Sequence, residues 1–369
     1  MNNAVRKDGW APMDRRRAAQ LLGLGGTLIL PGVGSPRSAR ASSMPLVYTW
    51  EGYNSAPIHQ EFADNFGAPP EFSLFTSLEE ALAKLRLGFQ ADVTTPGAES
   101  VLQWRDAGLL RPIDTSKLSH FSDILDGLKT RNPAVIDGTQ WAVPFCWGAT
   151  AVIVRTDLVP DYEANPSWGI LWDEKYAGRI AAKDGAPESV VTAALMEGIA
   201  DPFDMTDEQI EQVRARLEAQ RPLLRFYWDD GTSLAQAIAS GEVVAALGWT
   251  ATFSSLKNEG VPVTFAAPKE GALTWIDLIS ILTSGDADEA SRYAVIDSMT
   301  TPEAGEFVIN EFGVAAANRK AYGMVDPAQI ETLGLTDPEA TAGTGVFLRA
   351  FSPATNQKVI DMFNEVKAG

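Results

Sequence analysis

Short apolar runs alternate with segments of helical periodicity along most of the chain. The first runs rich in β-branched and aromatic residues predict strands at residues 46–50, 71–75 and 92–95. Between the second and third runs, leucines recur at helical spacing and predict a helix over residues 79–87. Strand, helix and strand in this order are typical of a βαβ unit with a parallel sheet.

The same alternation continues to the C-terminus. Further strands are predicted at residues 149–154, 179–182, 243–249, 263–266 and 277–282. Further helices are predicted at residues 188–199, 206–219, 233–240, 287–299, 302–312 and 354–367. This pattern indicates an α/β fold with mostly parallel sheets, which bind ligands outside the carboxyl ends of their strands.

The length of 369 residues is about twice that of a usual single domain and predicts two lobes. Lobe 1 is assigned residues 42–152 and 276–320, and lobe 2 is assigned residues 153–275 and 321–369. The middle of the chain has no linker rich in Gly, Pro or Ser. We therefore expect the chain to cross between the lobes in extended hinge strands.

Residues 1–41 differ in composition from the rest of the chain. They carry seven Lys or Arg and two acidic residues, a net charge of +5. Three consecutive arginines precede a short apolar stretch, and Ala39, Arg40 and Ala41 match a small-x-small cleavage pattern. The segment predicts an export signal, with paired arginines that favour the twin-arginine route. A membrane anchor is the disfavoured alternative, because spanning a bilayer takes roughly 20 continuous apolar residues.

Charge and cysteine content exclude several classes of function. The whole chain has a formal net charge of −18, which leaves −23 for residues 42–369 and would repel nucleic acid. One cysteine, Cys146, forms no internal disulfide, and two histidines leave little for a histidine-based metal site. Together with the export signal, these features predict an acidic, cysteine-poor protein of the bacterial envelope without metal or cofactor.

Motifs typical of enzymes are absent from the sequence. It contains no nucleophile elbow and no phosphate-binding loop. Asp229 and Asp230 are interpreted as a solvated turn rather than as an acid/base pair, Cys146 as a small apolar filler, and His59 and His120 as surface residues. An acid/base hydrolase of the cell envelope remains the alternative from another class.

Aromatic and acidic residues cluster where predicted strands begin or end. The residues at these positions are Trp50, Glu51, Tyr53, Trp249, Trp275 and Asp277. An organic ammonium ion over an aromatic face gains roughly 0.5–2 kcal/mol, and a desolvated carboxylate adds a charge-assisted hydrogen bond. The combination predicts a binding site for an amine.

Four segments make the chain resemble the periplasmic spermidine- and putrescine-binding proteins of ABC transporters. They are VYTWEGY at 47–53, AVPFCWGATA at 142–151, PKEGALTWID at 268–277 and VKAG at 366–369. The resemblance implies two lobes that close on a small amine, delivery to an inner-membrane permease and no enzymatic step. It also implies an aromatic box of Trp50, Tyr53, Trp249 and Trp275, with Asp277 as the principal amine acceptor and Glu188 as a second acid.

Four departures from the family pattern bear on the ligand. Gly185 replaces an Asp, Val314 a Tyr, Arg349 a Gln, and Gly97 to Glu99 a Ser-Thr-Tyr loop. An Arg repels an ammonium and offers a fork to a carboxylate. The alternative ligand is therefore a monoamine or a zwitterion such as γ-aminobutyrate, held by Asp277 and Arg349. Glu51 and Glu99 are candidates to restore the lost acid.

Overall fold

The computed structural model describes residues 44–129, 133–342 and 345–369. The predicted export signal lies outside the described residues. Within them, the strands are β1 (Leu46–Trp50), β2 (Glu71–Phe75), β3 (Val93–Thr94), β4 (Leu110–Arg111), β5 (Val135–Ile136), β6 (Thr139–Gln140), β7 (Val143–Arg155), β8 (Ile180–Lys183), β9 (Leu224–Trp228), β10 (Ala245–Trp249), β11 (Val263–Ala266), β12 (Leu273–Leu282), β13 (Ala315–Ala316) and β14 (Val346–Phe347).

The α-helices of the described residues alternate with these strands. They are α1 (Gln60–Phe66), α2 (Leu78–Arg86), α3 (Ala98–Asp106), α4 (Asp126–Lys129), α5 (Ala186–Met196), α6 (Asp207–Gln220), α7 (Gly231–Ala239), α8 (Thr250–Asn258), α9 (Glu289–Met299), α10 (Pro302–Phe312), α11 (Pro327–Thr332), α12 (Pro338–Ala342) and α13 (Asn356–Ala368). No helix in the described ranges is long and apolar enough to cross a membrane.

Side chains at the N-termini explain why several helices begin where they do. Ser77 caps α2, and Thr206 forms a capping box with Gln209 at the start of α6. Thr301 caps α10, whose first residue is Pro302. A capping oxygen satisfies backbone N–H groups that have no partner inside the helix, and proline at the first position loses no bond.

Two long strands connect the halves of the main sheet, whose order is β2-β1-β3-β12-β7-β10-β8-β9. β7 and β12 pair antiparallel, from Thr150 opposite Leu273 to Val143 opposite Ile279. The outer strands β1, β2 and β3 are parallel on one side, and β8, β9 and β10 on the other. The α/β class is confirmed, with its parallel strands in the outer part of each half and antiparallel pairing at the crossing strands.

The buried side chains divide into a core on each side of the crossing strands. Lobe 1, as we use the term from here, is built on apolar residues between 47 and 147 and between 276 and 342, including the buried Trp104. Lobe 2 is built on residues between 152 and 273 and between 348 and 366, including Trp168 and Trp228.

One predicted boundary differs from these cores. The sequence predicts residues 321–342 in lobe 2, but Ala321, Val325, Ile330 and Leu335 are buried in the core of lobe 1. The reason is that the chain after α10 packs back onto its own lobe through β13 and α11. The final crossing to lobe 2 follows at β14, which pairs with β12. We therefore propose residues 346–369, not 321–369, as the C-terminal part of lobe 2.

Candidate functional site

All nine side chains predicted to form the site line one cleft of about 1110 Å³. They are Trp50, Glu51, Tyr53, Glu99, Glu188, Trp249, Trp275, Asp277 and Arg349. Trp50 and Tyr53 pack against the core of lobe 1, and Trp249 packs against the core of lobe 2. Trp275 lies on a crossing strand and touches both cores. The cleft therefore draws its aromatic rings from both lobes.

Asp277 is fixed at the lobe junction by a short hydrogen bond. The Tyr53 hydroxyl donates to Asp277 Oδ2 at 2.5 Å and lies 3.1 Å from Cys146 Sγ. The pairing register of β12 with β7 shifts between Asp277 and Leu278, and Leu278 N donates to Pro96 O instead. Desolvation raises the pKa of Asp277 to about 6, although the Tyr53 hydroxyl opposes this rise. The Asp277 carboxylate is thus poorly solvated, and among the described residues the Tyr53 hydroxyl is its side-chain donor.

Glu99 places a second carboxylate near Asp277. It lies in the first turn of α3, and Gly97 bridges to Asp277 across the sheet edge. A Cβ at position 97 would lie 2.6 Å from Glu99 Oε1, so glycine is needed for the carboxylate to fold back over the chain. Desolvation, and then the charges of Asp277 and Glu188, raise the pKa of Glu99 to about 8. Glu99 therefore supplies an acid on the lobe 1 side, as the sequence analysis considered.

Glu188 is the acid on the lobe 2 side. It lies in the first turn of α5, next to the N-cap residue Gly185. Burial raises the pKa of Glu188, while the positive charge of Lys183 and a hydrogen bond from Trp249 oppose the rise. Trp249 ends β10 and meets Trp228 edge to face, with ring centroids 4.7 Å apart.

Trp50 ends β1 in lobe 1, and Trp275 lies on the crossing strand β12. Trp50 packs against Phe75 at a centroid distance of 4.6 Å. Trp275 lies over Gly148 of the neighbouring strand β7, where a Cβ would come within 2.4 Å of the indole. Both indole N–H groups are buried and have no hydrogen-bond partner among the described residues. The glycine at 148 therefore determines where the Trp275 ring lies.

Arg349 lies at the edge of the cleft but is already paired. One guanidinium nitrogen donates to both carboxylate oxygens of Asp201 at 2.8 Å, and the group lies 4.8 Å from the Phe203 ring centroid. This pairing corrects the expectation that Arg349 offers a free fork to a ligand carboxylate. Asp201 and Arg349 are 148 residues apart, so no local sequence pattern indicates the pair.

His59 departs from its expected surface position, whereas His120 stays partly exposed at the surface. His59 is 1% exposed, and its ring nitrogen Nε2 lies 2.8 Å from the backbone oxygen of Tyr53. Desolvation lowers the pKa of His59 to about 4, so it is neutral and supports the turn that carries Tyr53. His120 Nε2 lies 3.0 Å from Glu61 Oε2 and is only partly exposed. Cys146 is buried as expected, and burial raises the pKa of its thiol.

The sequence analysis missed several side chains of the cleft. Lys183 ends β8 with its ammonium over the Trp228 and Trp249 rings. The C-terminal helix α13 adds Ile360, Phe363 and Asn364. The spacing of apolar residues in α13 predicts that the helix packs on a hydrophobic core. Only the tertiary structure shows that one side of the helix also faces this cleft. Lys183 directly precedes the segment that carries Gly185 and Glu188, which is the one signal that pointed to it.

Acidic groups predominate around the cleft. The lining contains eight carboxylate residues, namely Glu51, Glu79, Glu99, Asp184, Glu188, Asp229, Asp277 and Glu311. It contains four basic residues, of which Lys367 pairs with Asp184 and Arg349 with Asp201. Among the described residues, no group of three or more His, Cys, Asp or Glu is arranged to hold a metal ion. The charge and the aromatic rings together suit an organic cation.

Comparison with known proteins gives a family match over most of the chain. The model of the bacterial extracellular solute-binding protein family matches residues 60–332. The chain is 26% identical over 283 residues to the spermidine/putrescine-binding periplasmic protein of Escherichia coli, covering 76% of this chain and 79% of that protein. It is 26% identical over 301 residues to the putrescine/agmatine-binding protein of Pseudomonas aeruginosa, covering 76% and 80%.

The fold comparison agrees with the family match. The spermidine/putrescine substrate-binding protein of Streptococcus pneumoniae superposes with a TM-score of 0.74 at 20% identity, covering 89% of this chain and 99% of that one. At this identity the likeness concerns the fold. Together with the family match, it confirms the resemblance that the four sequence segments indicated, and it assigns the chain to binding proteins rather than to enzymes.

Proposed function

Because the chain belongs to the bacterial extracellular solute-binding protein family, we propose that it captures a small di- or polyamine in the periplasm and delivers it to an ABC transporter in the inner membrane. The observation that carries this proposal is the Asp277 carboxylate, held by Tyr53 within a cleft lined by Trp50, Trp249 and Trp275. The names of the curated relatives, which bind putrescine, spermidine or agmatine, support the same ligand class.

An amine that enters this cleft loses few favourable contacts between water and the two carboxylates. Asp277 and Glu99 are partly buried, and desolvation raises the pKa of each carboxyl above its ordinary value. An ammonium group would give both carboxylates a charged donor, and charge-assisted hydrogen bonds contribute roughly 1.5–3 kcal/mol each. The empty protein is thus preorganised for a cation.

Capture proceeds by closure of the two lobes. Lobe 1 supplies Trp50, Tyr53 and Glu99, and lobe 2 supplies Trp249 and Glu188, on either side of the crossing strand that bears Asp277. A ligand seated on one lobe completes its contacts only when the other approaches. Binding therefore shifts an equilibrium between open and closed states by the difference in affinity for the two. We propose that the closed, monomeric protein is the form that a permease recognises.

Intrinsic tryptophan fluorescence should report this capture. Trp50, Trp249 and Trp275 line the cleft, so adding putrescine is expected to change the emission spectrum in a saturable manner. A titration at pH 7 checks this, with 1,4-butanediol as a neutral ligand of similar length. No change with putrescine, or the same change with the diol, would contradict the placement of an ammonium beside these rings.

Amine binding should also release a proton from Glu99. With a pKa of about 8, Glu99 is mostly protonated at pH 7 in the empty protein. A bound ammonium stabilises the ionised form and lowers this pKa, so close to one proton leaves on binding. The affinity for the amine should therefore rise as the pH rises from about 6 to about 8, because a smaller fraction of Glu99 then has to lose its proton on binding.

Calorimetric titration in buffers of different ionisation enthalpy counts these protons. The wild type is expected to release about one proton per putrescine at pH 7, and the Glu99→Gln variant close to none. Asp277, whose pKa is about 6, is largely ionised at pH 7 and contributes little. Equal proton release by the wild type and by Glu99→Gln would show that Glu99 does not face the ligand.

A further inference from the structure

Lys183 places an ammonium group of the protein itself inside the cleft. It is the last residue of β8, and its Nζ lies 4.8 Å from the Trp228 ring centroid and 5.4 Å from that of Trp249. The side chain is partly buried and lines the same cavity as Asp277. Within the described ranges it forms no ion pair within 4.0 Å, unlike its neighbour Asp184, which pairs with Lys367. Its ammonium therefore lies against the two indole rings.

The surroundings of this ammonium are those that an amine ligand would seek. Two aromatic faces accept a cation, and the nearby Glu188 carboxylate is held by a hydrogen bond from Trp249. Lys183 interacts electrostatically with the same carboxylate. The lobe 2 end of the cleft thus contains a complete cation site whose occupant belongs to the chain.

The lobe 1 end differs from this arrangement. Asp277 and Glu99 lie there without a basic partner among the described residues, since Asp277 accepts only from the Tyr53 hydroxyl. Arg86 also lines the cleft from lobe 1, but within the described ranges neither carboxylate forms an ion pair with it, so both stay open to the ammonium groups of a ligand.

We propose that Lys183 is a specificity-determining residue that fills the lobe 2 cation position and excludes a second, distant ammonium of the ligand. The inference rests on the proposed function. A short diamine places its charges near Asp277 and Glu99 and avoids Lys183. A longer triamine such as spermidine extends a further ammonium towards lobe 2, where it meets the like charge of Lys183. The chain should therefore select short amines over long polyamines.

The opposite use of Lys183, as a partner for a ligand carboxylate, is disfavoured by the charge of the cleft. Eight acidic residues line it against four basic ones, and Glu79, Glu99 and Glu188 interact electrostatically with one another. A ligand carboxylate would be repelled by these acidic residues, whereas the Lys183 ammonium reduces their mutual repulsion. A γ-aminobutyrate-like ligand is accordingly an outcome of the test below and not the proposal.

Replacement of Lys183 by Met keeps the apolar stem and removes the charge. In Lys183→Met, we expect the ratio of spermidine to putrescine affinity to rise at least about tenfold. Lys183→Arg keeps the charge and should keep the wild-type ratio. Lys175→Met is the matched control, because Lys175 also lies over a ring, that of Tyr176 at 4.9 Å, but does not line the cleft.

The measurement is calorimetric titration of each variant with putrescine, spermidine and γ-aminobutyrate at pH 7. Thermal unfolding checks that each variant is folded. If Lys183→Met does not fold, Lys183→Gln replaces it as the uncharged variant. An unchanged spermidine to putrescine ratio in a folded, uncharged variant overturns the role of Lys183 alone. Tight γ-aminobutyrate binding that is lost in Lys183→Met also overturns it, because Lys183 then receives a carboxylate. Absence of amine binding by wild type and variants alike overturns the proposed function, and this inference with it.

Discussion

Replacement of Asp277 by Asn should weaken putrescine binding about 30- to 1000-fold, or roughly 2–4 kcal/mol. The carboxylate lies on the crossing strand β12, accepts a hydrogen bond from Tyr53 and is poorly solvated. An amide oxygen still accepts a hydrogen bond from Tyr53 but carries no charge. The ligand ammonium would then be desolvated without its counter-charge. Calorimetric titration at pH 7 measures the loss.

The empty Asp277→Asn variant should be at least as stable as the wild type at pH 7. The folded pKa of Asp277 is about 6, above its ordinary value of 3.8. The folded state therefore holds the proton more tightly, and stability falls as the pH rises from about 4 through 6. Asparagine removes this cost.

Asp229→Asn, an exposed acid on the same cleft, is the matched control and should bind within about threefold of the wild type. A melting temperature well below that of the wild type would mean that Asp277 supports the fold.

Replacement of Gly148 by Ala should displace the Trp275 indole and weaken ligand binding about 10- to 100-fold. The added Cβ would lie 2.4 Å from a ring carbon of Trp275, far inside van der Waals contact, so the ring must rotate. A ring that leaves the cleft forfeits its contact with the ligand cation and part of its shielding from water. Fluorescence titration with putrescine follows both the affinity and the environment of the indole.

Gly323→Ala provides the control for this substitution. Position 323 has open space around a new Cβ, and its backbone needs no left-handed conformation. This variant should bind like the wild type. Wild-type affinity in Gly148→Ala would show that the orientation of Trp275 is unimportant to binding, whereas equal losses in both variants would indicate a general effect on the fold.

The local pattern of apolar residues and helix caps predicted several helices and strands with their correct bounds. Strands β1, β2 and β11 and helix α10 begin and end where the apolar runs and caps placed them. Helix α8 was missed, because TATFSSLKN is rich in β-branched and small polar residues that favour other conformations. Its position after β10 and its packing on α7 and β11 decide its structure. Strands β7 and β12 are longer than predicted because they pair with each other across both lobes.

The candidate site was predicted in its lobe 1 half more fully than in its lobe 2 half. Trp50, Tyr53 and Asp277 stand at strand ends or in motifs, which a sequence displays directly. Lys183 depends on β8 lying between β10 and β9, which brings Trp249 and Trp228 to its ammonium. Arg349 depends on the loop that carries Asp201. Pairings over such separations follow from tertiary structure, and no local spacing indicates them.

A calorimetric titration of the wild-type chain with putrescine at pH 7, paired with the same titration of Asp277→Asn, tests the amine site directly. We expect saturable binding of one putrescine per chain by the wild type, and an affinity lower by at least about 30-fold in the variant. Binding of equal strength by the two proteins, or no binding of putrescine, spermidine or agmatine by the folded wild type, would contradict an amine site built on Asp277.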